Sequence, residues 1–119
     1  MNKWHKNLMQ EKWNQYPLRE QMLMIGSEFS RMLHVKYEED QKRCIERAYE
    51  LIDLTIADSK LRAGRKELLR LREVLGEEYG TVVDLGKINQ YYQYCLEFSK
   101  LRKNNPVKTW NKNQTTTHV

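Results

Sequence analysis

Pro17-Leu-Arg-Glu-Gln-Met-Leu-Met-Ile-Gly-Ser-Glu-Phe-Ser-Arg-Met-Leu33 is the stretch on which the fold turns. In it Leu18, Met22, Ile25, Phe29 and Met32/Leu33 recur every three or four residues, the spacing that gathers apolar side chains on one face of an α-helix. Pro17 suits the first helical turn, where its missing N–H is no loss, and Glu20 lies where the positive end of the helix dipole favours an acid. Gly26 sits beside the stripe. A glycine inside a helix costs about 1 kcal/mol relative to alanine, so close approach by another helix is the expected compensation.

Three further stripes follow. Lys36 to Asp40 reads as a polar turn, and a helix from about Gln41 to Ala57 then turns Cys44/Ile45, Ala48, Leu51/Ile52 and Thr55/Ile56 inward. Asp58-Ser59 ends that helix and offers capping oxygens. The next helix runs from about Lys60 to Tyr79 with Leu61, Leu68, Leu71 and Leu75 on one face, and Gly80 is placed as a left-handed terminator. Asp84 is an N-cap for the last helix, which reaches about Arg102 and presents Leu85, Ile88, Tyr92, Cys95 and Phe98/Leu101. No segment alternates with period two, which excludes strands.

The expected fold class is therefore all-α: an antiparallel up-and-down four-helix bundle over residues 17–103. Residues 1–16, carrying Trp4, Leu8, Met9 and Trp13, form an N-terminal arm or short helix that Pro17 separates from the bundle. Residues 104–119, rich in Asn, Lys and Thr around Pro106, form a flexible basic tail.

With 119 residues, 39% hydrophobic and 31% charged, the chain can bury one core under a heavily charged surface. No apolar run approaches the ~18 residues of a membrane span, and the N-terminus lacks a signal-peptide core. The expected location is the cytoplasm. Cys44 and Cys95 are far apart, without CxxC spacing, and read as small buried hydrophobes. His5, His34 and His118 lie on separate segments, and neither HExxH nor paired Glu-x-x-His occurs. Glu38-Glu39-Asp40 reads as a solvated turn. A GxSxG elbow and a phosphate-cradling glycine loop are both missing. These absences point away from an enzyme, a metal site or a cofactor, and towards a binding protein.

The net charge of +5 favours anionic partners. Lys60, Arg62, Arg65, Lys66, Arg70 and Arg72 fall within thirteen residues that contain Glu67 as their one acid. At ~100° per residue, Arg62, Arg65, Lys66 and Arg72 point away from the leucine face and Arg70 towards its flank. Lys100, Arg102 and Lys103 begin a second basic concentration, which Lys108 and Lys112 continue into the tail. Two readings stand side by side. One is a solvated helix face partly neutralised by Glu67 and Glu73. The other is a surface that tracks the phosphates of RNA or DNA, releasing counterions with little sequence preference.

Tyr91, Tyr92 and Tyr94 cover more than one side of their helix, so at least one is expected to be exposed, either for base stacking or for a protein interface. Leu69 faces the basic side, opposite Leu68. With Trp4, Trp13, Tyr91 and Tyr94 it makes up a candidate protein interface, for an adaptor or an oligomer subunit that binds no nucleic acid.

The stretch Glu50-Leu-Ile-Asp-Leu-Thr-Ile-Ala-Asp-Ser-Lys-Leu-Arg-Ala-Gly-Arg-Lys-Glu-Leu-Leu-Arg70 resembles the junction between the middle helices of small bacterial four-helix bundles. These are the accessory variability determinant (Avd) proteins of diversity-generating retroelements and the bundle proteins encoded in 23S rRNA intervening sequences. The likeness covers residues 45–75. It implies a homopentameric barrel that assists a reverse transcriptase and RNA without performing chemistry, through Arg62, Arg65, Lys66, Arg70 and Arg72. The Trp-bearing segment before Pro17 and the Asn/Thr-rich tail depart from that family's pattern.

Overall fold

The computed structural model describes residues 10–104, with side chains through residue 100. Trp4, most of the N-terminal arm and the tail from residue 105 lie outside the described residues. The first element, α1 (Gln10–Trp13), is a single turn. Its Trp13 is fully buried, and the indole Nε1 donates to Thr55 Oγ1 at 3.0 Å. Trp13 is thus a core residue and not the interface anchor expected of an arm, because a large amphipathic ring buries its area at little cost once its N–H finds a partner. The chain then turns at Tyr16 into Pro17, which caps α2 (Leu18–His34).

Leu18, Met22, Ile25, Phe29 and Met32 are all buried, and the principal partner of α2 is α5 (Leu85–Asn104). A Cβ on Gly26 would stand 3.0 Å from Cys95 Cβ, so the glycine does mark a close helix crossing. One turn on, the Phe29 and Tyr91 rings lie 5.8 Å apart. On its other side α2 meets α3 (Glu38–Ile56) through a buried charge: Glu28 accepts from Arg47 Nε at 3.0 Å.

Several boundaries move from their expected positions. Glu38, Glu39 and Asp40 form the first turn of α3, where the helix dipole stabilises acids, instead of the preceding loop. The helix expected from Lys60 begins only at Arg65, as α4 (Arg65–Tyr79). Residues 57–64 are a connection in which Leu61 is still buried. It ends at Gly64, whose φ of +92° is a left-handed conformation that L side chains rarely adopt. Gly80 ends α4 at φ −84°, so it is not a left-handed terminator. The Lys42 amine replaces that motif by donating to the carbonyls of Glu78, Tyr79 and Thr81.

Asp84 does cap α5, its Oδ1 accepting from the N–H of Gly86 at 2.9 Å. The inward face of α5 is Ile88, Tyr91, Tyr94, Cys95, Phe98 and Ser99, while Leu85, expected inside, is exposed. Cross-helix pairs give the directions. Arg72 meets Asp53 and Tyr79 meets Glu46; Gly26 meets Cys95, and Gly64 meets Phe98. With Phe29–Tyr91, Gln21–Asp58 and Glu28–Arg47 added, the residue number rises along one helix of each packed pair as it falls along the other, so the four long helices run alternately up and down. Among the described residues no helix is long and apolar enough to cross a membrane.

Candidate nucleic-acid interface

The six cations between residues 60 and 72 divide into two groups of three. Lys60 is half-buried; its amine pairs with the buried Asp58 and donates to the carbonyl of Asn14 at 2.9 Å. Arg65 folds back over the end of α3, donating to the carbonyls of Ile56, Asp58 and Leu61. Those carbonyls have no helical partner, and a guanidinium with several donors can meet three at once. Arg72 binds Asp53, with Nε at 2.5 Å from Oδ1, and its guanidinium lies 4.8 Å from the centre of the Tyr49 ring. The hydrogen bond to Asp53 raises the Arg72 pKa above its ordinary value, against a smaller effect of burial. These three side chains secure the α3–α4 junction. They are corrections to the expected ridge, because their charge already meets carboxylates or carbonyls of the same molecule.

Arg62, Lys66 and Arg70 form the other group. All three are exposed, and none has a hydrogen bond or ion pair among the described residues. Lys66 and Arg70 are four residues apart on the outward face of α4, and Arg62 precedes them in the connection. The same face continues as Glu73 and Glu77, also exposed, so its charge changes sign between Arg70 and Glu73. This order opposes the helix dipole, which favours acids at the N-terminus and bases at the C-terminus. No side chain caps the N-terminus of α4, so unpartnered backbone N–H groups add to the positive potential beside Lys66.

The fold brings the second basic concentration to the same end. A Cβ on Gly64 would come within 3.0 Å of the Phe98 ring, which sets the start of α4 against the last turns of α5. Lys100, two residues beyond Phe98, is exposed. Arg102 and Lys103 lie in the last turn of α5, with side chains outside the described residues. Lys12 and Arg19 are exposed at this end too, since Asn14, between them, receives the Lys60 amine. The sequence offered no signal for these two, each being isolated along the chain.

The aromatic part of the expected interface is not assembled. Tyr91 and Tyr94 are buried, at 5% and 8% exposure, so neither can stack on a base or face a partner. Burial, with Glu78 as the next contributor, pushes the Tyr91 hydroxyl up to about 12. Burial likewise raises that of Tyr94. Tyr92 is the half-buried member of the cluster. Leu69 is 45% exposed beside Arg70, as expected. No protein-family model matches the chain, and neither a curated protein nor a solved structure does.

Proposed function

We propose that the chain is a non-enzymatic accessory protein that holds a nucleic-acid backbone against the basic end of its bundle. The observation that carries this reading is the trio Arg62, Lys66 and Arg70, exposed and without an internal partner among the described residues. Lys100 and the uncapped start of α4 support it at the same end. Such a surface meets phosphates by charge and reads no bases, so RNA and DNA of any sequence are held alike. The resemblance of residues 45–75 to Avd proteins adds a reverse transcriptase as the companion protein; only Arg62, Lys66 and Arg70 of its five matching cations have the exposure that role needs.

The test is a titration of labelled RNA and duplex DNA at several salt concentrations, with wild type and an Arg62→Glu/Lys66→Glu/Arg70→Glu variant. Wild-type affinity should fall with salt, with a log–log slope of about −0.7 to −0.9 for each phosphate contacted. In the variant the slope should flatten by about 2 to 3. Arg65→Ala should instead lower stability and leave the slope unchanged. Absence of binding at low salt, or a variant that binds as wild type does, would end the reading. An adaptor for an acidic protein surface is the second reading, favoured by exposed Leu69 among the cations. Under it, Leu69→Ser weakens protein capture and nucleic acid does not compete.

A further inference from the structure

Of the three tryptophans, Trp13 is buried in the core, and Trp4 and Trp110 lie outside the described residues. Those two share a setting: Lys3-Trp4-His5-Lys6 before α1, and Lys108-Thr-Trp110-Asn-Lys112 after α5. Neither residues 1–9 nor residues 101–119 contain an acid. All 16 acids fall within residues 10–100, together with 15 of the 21 cations, so the net charge of +5 comes entirely from the two terminal segments.

The fold attaches both segments at the basic end of the bundle. Gln10, the first residue of α1, donates to the Leu54 carbonyl near the end of α3 at 2.7 Å. The last helix runs past Phe98, which lies against Gly64, and finishes at Asn104. Arg62, Lys66, Arg70 and Lys100 are exposed at this same end. Trp4 is six residues before Gln10, and Trp110 six after Asn104. At about 3.3–3.6 Å per residue each indole has a reach of up to roughly 20 Å from its attachment, about two helix diameters.

An unpaired strand is held by two chemistries, cations for its phosphates and aromatic planes for its bases. An indole between lysines supplies both and accepts any base, because every base has a π-face. A duplex keeps its bases stacked on one another and leaves the indoles without a partner along its length. An anionic membrane also suits tryptophan and lysine. Against it, Val107, Trp110 and Val119 are the large apolar residues after Asn104, set among Asn, Gln, Thr and Lys, too few to bury a face in lipid. We propose that Trp4 and Trp110 are stacking sites for unpaired bases, and that the ligand of the basic end is a single strand. This rests on the function proposed above and adds the class of its ligand.

The experiment titrates the full chain with oligo(dT), oligo(U) and a DNA duplex of the same length at one low salt concentration, reading strand anisotropy and tryptophan emission. Single strands should bind at least about tenfold tighter than the duplex and quench the emission. In a Trp4→Ala/Trp110→Ala variant, single-strand affinity should fall at least about fivefold for each ring. Its duplex affinity should stay unchanged, and the remaining Trp13 emission should no longer respond. A Trp4→Tyr/Trp110→Tyr variant should recover most of the loss, since a phenol ring also stacks, and circular dichroism checks that all three proteins keep their helices. Equal binding of duplex and single strand, or an alanine variant that holds single strands as wild type does, would overturn this inference and leave the proposed function standing. Binding of neither form would end both. Quenching by phosphatidylserine vesicles and by neither homopolymer would assign the indoles to a membrane, which also overturns it.

Discussion

Asp58 shows how much one side chain fixes in this bundle. It is buried between α3 and α4, where Gln21 of α2 donates to Oδ2 at 3.0 Å and the Lys60 N–H donates to Oδ1 at 3.1 Å, with the Lys60 amine completing the set. Burial alone would push its carboxyl up. The hydrogen bonds from the Lys60 side chain, Gln21 and the Lys60 backbone outweigh burial together and hold the pKa below the ordinary value. A depressed folded-state pKa means stability that is present above the unfolded value of about 3.9 and lost as pH falls through the folded one. Asp58→Asn should therefore be less stable than wild type at neutral pH, and the gap should shrink as acid is added below about pH 4. Urea unfolding of both proteins from pH 7 to pH 2.5 reads this out, and a gap that is constant with pH would contradict it.

At the scale of the element, the outward face of α4 runs against the helix dipole, while Glu67 in the first turn and the Lys42 amine on the C-terminal carbonyls follow it. Lys66 stands in its first turn and Glu77 and Glu78 in its last, and no basic residue occupies that last turn. By contrast, α3 opens with Glu38, Glu39 and Asp40. Reversing one charge at the start of α4 should raise stability by about 0.3–1 kcal/mol at low salt, the usual size of a charge–dipole term at an exposed helix end. Lys66→Glu should thus melt slightly higher than wild type while binding nucleic acid more weakly. The two effects together separate a surface kept for binding from one kept for stability. A Lys66→Glu protein that loses both stability and binding would place Lys66 among the structural cations, with Arg65 and Arg72.

At the scale of the whole molecule, the short α1 is part of the domain. Trp13 joins α1 to α3 through Thr55, and Gln10 Nε2 donates to the Leu54 carbonyl at 2.7 Å. Gln21 Nε2 reaches the Trp13 carbonyl at 2.8 Å and so ties α1 to α2 as well. Deleting a buried indole costs about 3–5 kcal/mol, a large part of the ~5–15 kcal/mol that holds an ordinary domain together. Trp13→Ala should lower the urea midpoint of the entire bundle in one transition. Loss of α1 alone, with the remaining helices melting as before, would show that the segment is an appendage. Charge is unevenly spread along the molecule, with unmatched cations at one end and exposed Glu73 and Glu77 towards the other, where all the large exposed apolar side chains but Leu69 also lie.

The apolar period of three to four residues, the absence of a two-residue period and the placing of Pro17 and Asp84 were enough to read four helices and their order, because these are local signals. Gly26 as a crossing point and Cys44 and Cys95 as buried thiols were legible for the same reason. Which cations are unengaged was not legible. Arg65 and Arg72 resemble Lys66 and Arg70 along the chain, and they differ only because α3 lies beside the former pair with carbonyls and Asp53. The tyrosines failed for a related reason: the rotation of α5 against α2, set by the Gly26–Cys95 contact, turned Tyr91 and Tyr94 into the core and left Leu85 outside. Periodicity names a helix and its faces, but the neighbours that pack against each face decide which charges meet partners and which meet water.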